Sequence, residues 1–367
     1  MSPGDHVDRE RLLGCFLDLV RIDSPSGDEA AIGAELEGRL GALGLAVERD
    51  GAGNLLARAD GDGETLLLSA HMDTAGRDRG VRPVVQDGIV RSDGTTILGA
   101  DDKSALAAIL EALALLQANP GWPRPPLEVL ITVEEERGLA GARAFDRDRL
   151  RAAWGVVLDQ GGPIGTITSA APASRYVTAT IHGRRAHAGV EPEKGVSAIQ
   201  VAAEAIAALE LGRLDHETVA NVGRVEGGEA RNIVAGRVVC EGMARSHDPA
   251  KLERVVSTMQ AAFEAAAARR GARAEVVIEP VYEGYAIDLG SPAVRALERA
   301  YGAIGRELRP GPAAGGSDAN ILNARGLPSV VVSTGMTAVH TSEEHIAVAD
   351  LVDAARALIT LIVQQGR

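Results

Sequence analysis

The sequence predicts an α/β fold: a mostly parallel sheet flanked by helices, interrupted by an inserted α+β domain. Three observations lead there. Continuous apolar runs at 127–133 and 155–158 read as buried parallel strands, because a strand covered on both faces has no polar side to show. Helical stretches rich in Ala and Leu alternate with such runs towards both ends of the chain. Near Ala173 the pattern changes to alternating, half-exposed strands and two helices in the order β-α-β-β-α-β, the split ferredoxin-like unit.

Taken in order, apolar positions at helical spacing mark 8–20 and 28–43 as helices. Between them, Asp23-Ser24-Pro25-Ser26-Gly27-Asp28 is a turn that also offers helix caps. Short β-like runs follow at 45–48, 55–58 and 66–70, and 104–117 is a helix of strong formers. In the insert, 176–181, 219–225, 237–244 and 274–281 read as strands, with helices at 196–211 and 252–269. After Gly284 the α/β pattern resumes with helix 292–304, strand 329–333 and helix 349–364. The expected division is therefore 1–173 with 285–367 as one domain, and 174–284 as the insert. There is no internal repeat and no long low-complexity linker.

With 367 residues, 46% of them hydrophobic, the chain has ample core material for one large domain or two. Aromatics are only 2%, so the core must be built from Ala, Val, Leu and Ile. A formal charge of −13 argues against nucleic acid and anionic membranes, which need basic surface. No run approaches the roughly 18 apolar residues of a membrane span. The polar start, Met1 to Glu10, has no apolar signal core. Cys15 and Cys240 lie far apart without ligand spacing, so a reduced, cytoplasmic protein is expected.

Acidic residues and histidines stand where the apolar runs end. His71 and Asp73, two apart at a strand end, face the same way, so Asp73 is placed to accept the second N–H of a metal-bound imidazole. Asp101-Asp102 precedes a helix; one such carboxylate can bridge two cations, and either is also an ordinary helix cap. Glu134-Glu135-Glu136 is a run of carboxylates that repel unless cations or distinct environments separate them. One can bind metal while the next serves as general base, and the ordinary reading is a solvated acidic turn. Asp159 ends a strand too apolar for the surface and faces the crevice where α/β proteins bind ligands. His340 lies in a Gly-, Thr- and Ser-rich loop, and His187 lies in the insert. His6, His182, His216, His247 and His345 have no supporting context and are read as surface. Histidine and carboxylate without nearby cysteine suit a pair of hydrolytic divalent metals.

These segments together resemble the dinuclear zinc metallopeptidases of the M20 family, and within it the peptidase T (tripeptide aminopeptidase) branch. The resemblance spans nearly the whole chain. It is carried by Ser69-Ala70-His71-Met72-Asp73-Thr74, Leu98-Gly99-Ala100-Asp101-Asp102-Lys103, Thr132-Val133-Glu134-Glu135-Glu136-Arg137-Gly138 and Val157-Leu158-Asp159. Further along it includes Ala186-His187-Ala188-Gly189-Val190-Glu191-Pro192, Asn232-Ile233-Val234, Ala244-Arg245-Ser246-His247-Asp248, Gly315-Gly316-Ser317-Asp318 and His340-Thr341.

The resemblance implies a zinc-peptidase-type catalytic domain with an inserted lid. It implies two Zn2+ per subunit, with Co2+ or Mn2+ as substitutes. Asp101 would bridge them, His71 and Asp159 would complete one site, and Glu136 and His340 the other. Glu135 would be the general base and Asp73 would orient His71. His187, Asn232 and Arg245 would hold substrate, a short peptide. The bond between Asp101 and Asp102 would be cis. A homodimer through the lid is expected, and in some dimeric relatives the equivalent of His187 comes from the partner subunit. Arg231 and Gln160 depart from the family pattern beside Asn232 and Asp159, without removing a ligand or the base. Three activities stay open on this pattern: tripeptide aminopeptidase, carboxypeptidase or N-acyl-amino-acid amidohydrolase, and a non-catalytic binding relative.

Overall fold

The structure, a computed structural model, describes residues 2–366. It divides into two compact units. The first comprises the described residues up to Ala170, then Ala286–Ala313, and those from Ser317 onward; the second comprises Ala171–Tyr285 and Ala314–Gly316.

The chain begins with helices α1 (Arg9–Val20) and α2 (Ala30–Ala42), then strands β1 (Ala46–Arg49), β2 (Leu55–Ala59) and β3 (Leu66–His71). A hairpin of β4 (Val84–Gln86) and β5 (Ile89–Arg91) leads to helix α3 (Ala100–Ala118) and strand β6 (Leu127–Thr132). Helix α4 (Ala140–Ala144) and strands β7 (Trp154–Gln160) and β8 (Thr166–Ala171) follow. The second unit holds β9 (Ala173–His182), α5 (Ala198–Ala207), β10 (Gly212–Arg213), β11 (Thr218–Gly227), β12 (Arg237–Ser246), α6 (Pro249–Arg270) and β13 (Arg273–Tyr282). The chain returns through β14 (Tyr285–Ala286), α7 (Pro292–Ala303), β15 (Arg309–Pro312), α8 (Asp318–Ala324), β16 (Ser329–Ser333), β17 (His345–Ala347) and α9 (Val348–Gln365).

The main sheet runs β1-β2-β6-β3-β7-β16-β8-β14, with β15 on β8. Its centre, β6-β3-β7-β16, is parallel, and β1 and β2 extend it antiparallel. Every residue of β3, β6 and β16 is buried, which is why these segments are predominantly apolar and show no alternating polar face. The pleat sends Leu66, Leu68 and Ala70 into one core with Phe16 of α1, Leu106 of α3 and Leu358 of α9. Leu67, Leu130, Val157 and Val331, equally buried, face the other side, where α8 packs on β16 and α4 packs on α8. Helix α3 is buried on almost every face, and its small residues Ala107, Ala108 and Ala112 let it pass close to its neighbours. Among the described residues no helix is long and apolar enough to cross a membrane.

The second unit is an antiparallel sheet in the order β10-β11-β12-β9-β13. Without the two-residue β10 this is the ferredoxin-like strand arrangement. Helices α5 and α6 cover it, with Val201, Phe263 and Ala267 seated on Ala179, Ile181 and Val238.

Some elements differ from expectation. Helix α5 stops at Ala207 instead of continuing to 211, because Leu209 and Leu211 turn in to pack on the core and Gly212 takes a left-handed conformation at φ 89°. The hairpin β4–β5 and strand β8 carry no clear apolar alternation; Val84 and Val85 are exposed. His182, His247 and His345 are half-buried rather than surface, two of them inside strands.

Candidate metal centre

The parallel strands β3, β6 and β7 end at one edge of the sheet, and His71, Thr132 and Asp159 stand at or beside those ends. Ligands in α/β sheets sit at the carboxyl ends of strands. Helix α3 starts there too. Its residues Asp101 and Asp102 are buried, depart from helical geometry, and share a cis peptide bond, as the resemblance implies. After β6 the chain turns through Glu134 in the left-handed region (φ 49°), makes one tight turn over Glu135–Arg137, and leaves through Gly138 and Leu139, also left-handed. His340 (φ 64°) and Ala338 (φ 54°) are left-handed as well. Non-glycine residues pay a steric penalty there, and such positions cluster at functional sites.

His71 is locked from one side. Its Nδ1 lies 3.0 Å from the Asp73 carbonyl oxygen and 3.2 Å from Asp73 Oδ1, so two acceptors assign it the proton. Its Nε2 then points a lone pair at Asp101 Oδ1, 3.1 Å away, and at Asp159 Oδ1, 3.8 Å away. The other Asp101 oxygen lies 3.2 Å from His340 Nε2, which is also 2.7 Å from Glu136 Oε1. That Glu136 oxygen is buried and has no aligned hydrogen-bond partner. Lone pairs facing carboxylate oxygens repel unless a proton or a cation lies between them.

The donor spacing suits a cation. Ligands about 2.0–2.2 Å from a tetrahedral zinc stand roughly 3.3–3.6 Å apart. The separations around His71, 3.1 and 3.8 Å, bracket that range, and those around His340, 3.2 and 2.7 Å, fall short of it. The triads His71–Asp102–Asp159, His71–Glu135–Glu136 and Asp101–Glu136–His340 each offer ligand atoms within 4.8 Å of one another.

The charge balance points the same way. Burial pushes the Glu135 and Asp159 carboxyls well above their ordinary range, and neighbouring carboxylates add to the shift. Burial does the same to Asp102 and takes Asp318 to about 6. Burial opposes protonation of His71, but Asp101, Asp73 and Asp159 outweigh it and hold the imidazole well above its usual value. Hydrogen bonds to Asp101 and Glu136 raise His340 to about 10. A buried site this rich in carboxylates takes up positive charge, as protons or as cations.

The family model described as peptidase family M20/M25/M40 matches residues 67–364. The chain belongs to this family. Within it, the chain is 43% identical over 371 residues to the uncharacterized protein YqjE of Bacillus subtilis, covering 98% of this chain and 100% of that one. Its fold matches the aminopeptidase PepT of Bacillus cereus with a TM-score of 0.83 at 41% identity, covering 98% and 100% of the two chains. It matches a tripeptidase of Staphylococcus aureus with a TM-score of 0.89 at 38% identity, covering 98% and 99%. This M20 enzyme is thus a hydrolytic metallopeptidase of the peptidase T-like branch.

The fold of this peptidase gathers His71, Asp73, Asp101, Glu135, Glu136, Asp159 and His340 in the first unit. The other three expected residues lie in the second unit. His187 and Asn232 stand on adjoining segments joined by the Ala188 N–H to Asn232 O bond of 2.9 Å, and both are exposed or nearly so. Arg245, on β12, lies with its guanidinium 6.0 Å from the Tyr282 ring centre. Gly316 makes room for that ring: a Cβ there would lie 2.4 Å from Tyr282 Cζ. Gln160 turns to Thr168, whose hydroxyl donates to its Oε1 at 3.0 Å.

Sequence reasoning missed several supporting groups. The Ser26 hydroxyl donates to Asp73 Oδ2 at 2.7 Å, and Glu29 Oε1 accepts from the Gly27 and Glu134 N–H groups at 2.7 and 3.2 Å. The turn holding Ser26 was legible, but its target lies 47 residues away. Asp102 Oδ2 accepts the His71 N–H at 3.2 Å. Lys103 is buried and donates to the Ile22 carbonyl at 2.7 Å. Glu344, also buried, has no sequence signal beyond following His340 by four residues.

Proposed function

We propose that this peptidase is an aminopeptidase of short peptides, tripeptides foremost, working with two zinc ions. The observation that carries the reading is the Asp101 carboxylate, with one oxygen 3.1 Å from His71 Nε2 and the other 3.2 Å from His340 Nε2. Shared this way, it would hold two cations, with His71 and Asp159 completing one site and Glu136 and His340 the other. Imidazole and carboxylate without thiolate suit zinc, with Co2+ or Mn2+ as substitutes. The tripeptidase and aminopeptidase structures it resembles support the substrate class.

When bound, such a cation pair polarises the scissile carbonyl and makes water acidic enough to lose a proton near neutral pH. Glu135, buried and near His71 and Glu136, takes that proton as water adds to the carbonyl carbon. It returns the proton to the amine nitrogen as the C–N bond breaks, so no net proton is consumed at the enzyme. Asp73 keeps His71 oriented and also accepts the Glu135 N–H at 3.0 Å, which ties the base to the same support. Residues 174–284 form the lid, with His187 and Asn232 holding the reacting carbonyl and Arg245 pairing with the substrate carboxylate. The same reading expects a homodimer through that segment. Cys15 and Cys240 are both free thiols, which fits a cytoplasmic enzyme.

The test offers the zinc-loaded protein free tripeptides, N-acetylated tripeptides and C-amidated tripeptides side by side. Cleavage of free tripeptides with release of the first residue is expected. Preference for the acetylated forms would replace the aminopeptidase reading with a carboxypeptidase or acyl-amino-acid amidohydrolase on the same centre.

A further inference from the structure

His340 sits in a difficult place for a ligand. Its side chain is half exposed, on a loop whose residues from Thr337 to Glu343 are exposed except Val339, which is partly buried against the core. The loop closes on itself at its base, where Thr337 and His345 exchange two backbone hydrogen bonds of 3.0 and 3.1 Å. That closure sets the loop's shape and leaves its placement against α3 to other contacts.

Glu344 supplies one. It is the buried residue of the loop, with 1% of its surface accessible. Its Oε2 accepts the N–H groups of Leu98 and Gly99, both at 2.8 Å, and its Oε1 accepts that of Asp101 at 3.0 Å. One carboxylate thus gathers three backbone donors from the segment that delivers the bridging aspartate. These are charge-assisted bonds across more than 240 residues of chain, and each is stronger than its neutral counterpart. A closed circuit results: Asp101 to Glu344 through the backbone N–H, Glu344 to His340 along the loop, and His340 Nε2 back to Asp101 Oδ2 at 3.2 Å.

We propose that Glu344 is the positioning residue for the His340 side of the centre, setting the separation of His340 and Asp101 so that both reach one cation. This rests on the reading that Asp101, Glu136 and His340 hold a metal ion. His71 and Asp159 are delivered by β3 and β7 and are fixed by the sheet, so their site shares only Asp101 with the segment that Glu344 holds and depends on it less.

The experiment is zinc titration of the metal-stripped, full-length protein against a chromophoric chelator, with Co2+ absorption as an independent readout. Glu344→Gln keeps the shape but sets an NH2 against backbone donors. Glu344→Asp keeps the charge but is one methylene short. Glu343→Gln, on the exposed neighbour, is the control. Wild type and Glu343→Gln are expected to bind two zinc ions. Glu344→Gln should bind one about 10–100-fold more weakly, the usual size of a supporting-residue effect, and the other with a much smaller loss. Glu344→Asp should show a smaller loss at that same site, and it decides the case if the glutamine variant does not fold. Two wild-type affinities in the folded variants, or equal weakening of both sites, would overturn the proposal. A wild-type protein binding fewer than two ions, or His340→Ala still binding two, would instead overturn the reading beneath it.

Discussion

Replacing Asp73 by asparagine should weaken metal binding about 10–100-fold while the fold survives. The Asp73 carboxylate is fully buried and receives four donors. Oδ1 faces His71 Nδ1 at 3.2 Å and the Glu135 N–H at 3.0 Å; Oδ2 faces the Ser26 hydroxyl at 2.7 Å and the Glu136 N–H at 3.3 Å. Asparagine is isosteric, so the best arrangement keeps its oxygen at the Oδ1 position. Its NH2 then meets Ser26, whose hydroxyl can reverse and accept, and the Glu136 N–H, which cannot. One buried N–H is left facing a donor, at about 1–3 kcal/mol. The bonds to His71 and Glu135 lose their charge assistance, at about 1 kcal/mol each. The sum is on the order of 3–5 kcal/mol, shared between stability and the orientation of His71 and Glu135. Zinc competition reads the affinity, and denaturant unfolding of the metal-free protein reads the stability. Burial raises the Asp73 carboxyl, but the bonds from His71, Ser26 and Glu135 more than offset this and hold it below its ordinary 3.8. Its contribution is therefore present above pH 3.8 and is lost as pH falls through the lower folded value, so the stability gap should close in acid. Unchanged zinc affinity, with a gap that persists in acid, would refute Asp73 as the support of His71.

Other substitutions probe separate parts of the argument. Glu135→Gln should lower kcat by about 10²–10⁴-fold with zinc stoichiometry intact; equal turnover would remove Glu135 as the base. Arg245→Ala should raise KM for tripeptides with a free carboxylate far more than for amidated ones, and similar losses on both would end that role. Burial takes the Lys103 ammonium from 10.5 down to about 8. Between those pH values the unfolded chain binds the extra proton, so wild type should gain stability relative to Lys103→Met as pH rises from 8 to 10.5, by ~3 kcal/mol in full. Parallel denaturant curves of the metal-free proteins at both ends of the window measure it, and a constant difference would show that Lys103 is not buried as a cation.

Elements whose pattern is set by burial could be read from the residues alone. Strands such as Leu66–His71 and Leu127–Thr132 are buried at every position because the sheet is covered on both faces, and that covering leaves them predominantly apolar, with Ser69, His71, Glu128 and Thr132 as the polar exceptions. The candidate ligands were legible for a related reason. A carboxylate or imidazole at the end of an unbroken apolar strand is out of place unless something charged waits there. How those groups are held becomes visible only in the folded chain. Ser26 reaches Asp73, Glu29 reaches the Glu134 turn, and Glu344 reaches the Asp101 segment across 47, 105 and 243 residues of chain. A hydrogen bond across such a span has no period and no spacing to read. Its donors are a serine hydroxyl or backbone N–H groups that nearly every residue carries, and its acceptors are side chains that look like ordinary surface polarity until the fold buries them. Even the start of α3 follows this logic, because Asp101 and Asp102 carry an ordinary helix-cap pattern that the centre bends out of helical geometry.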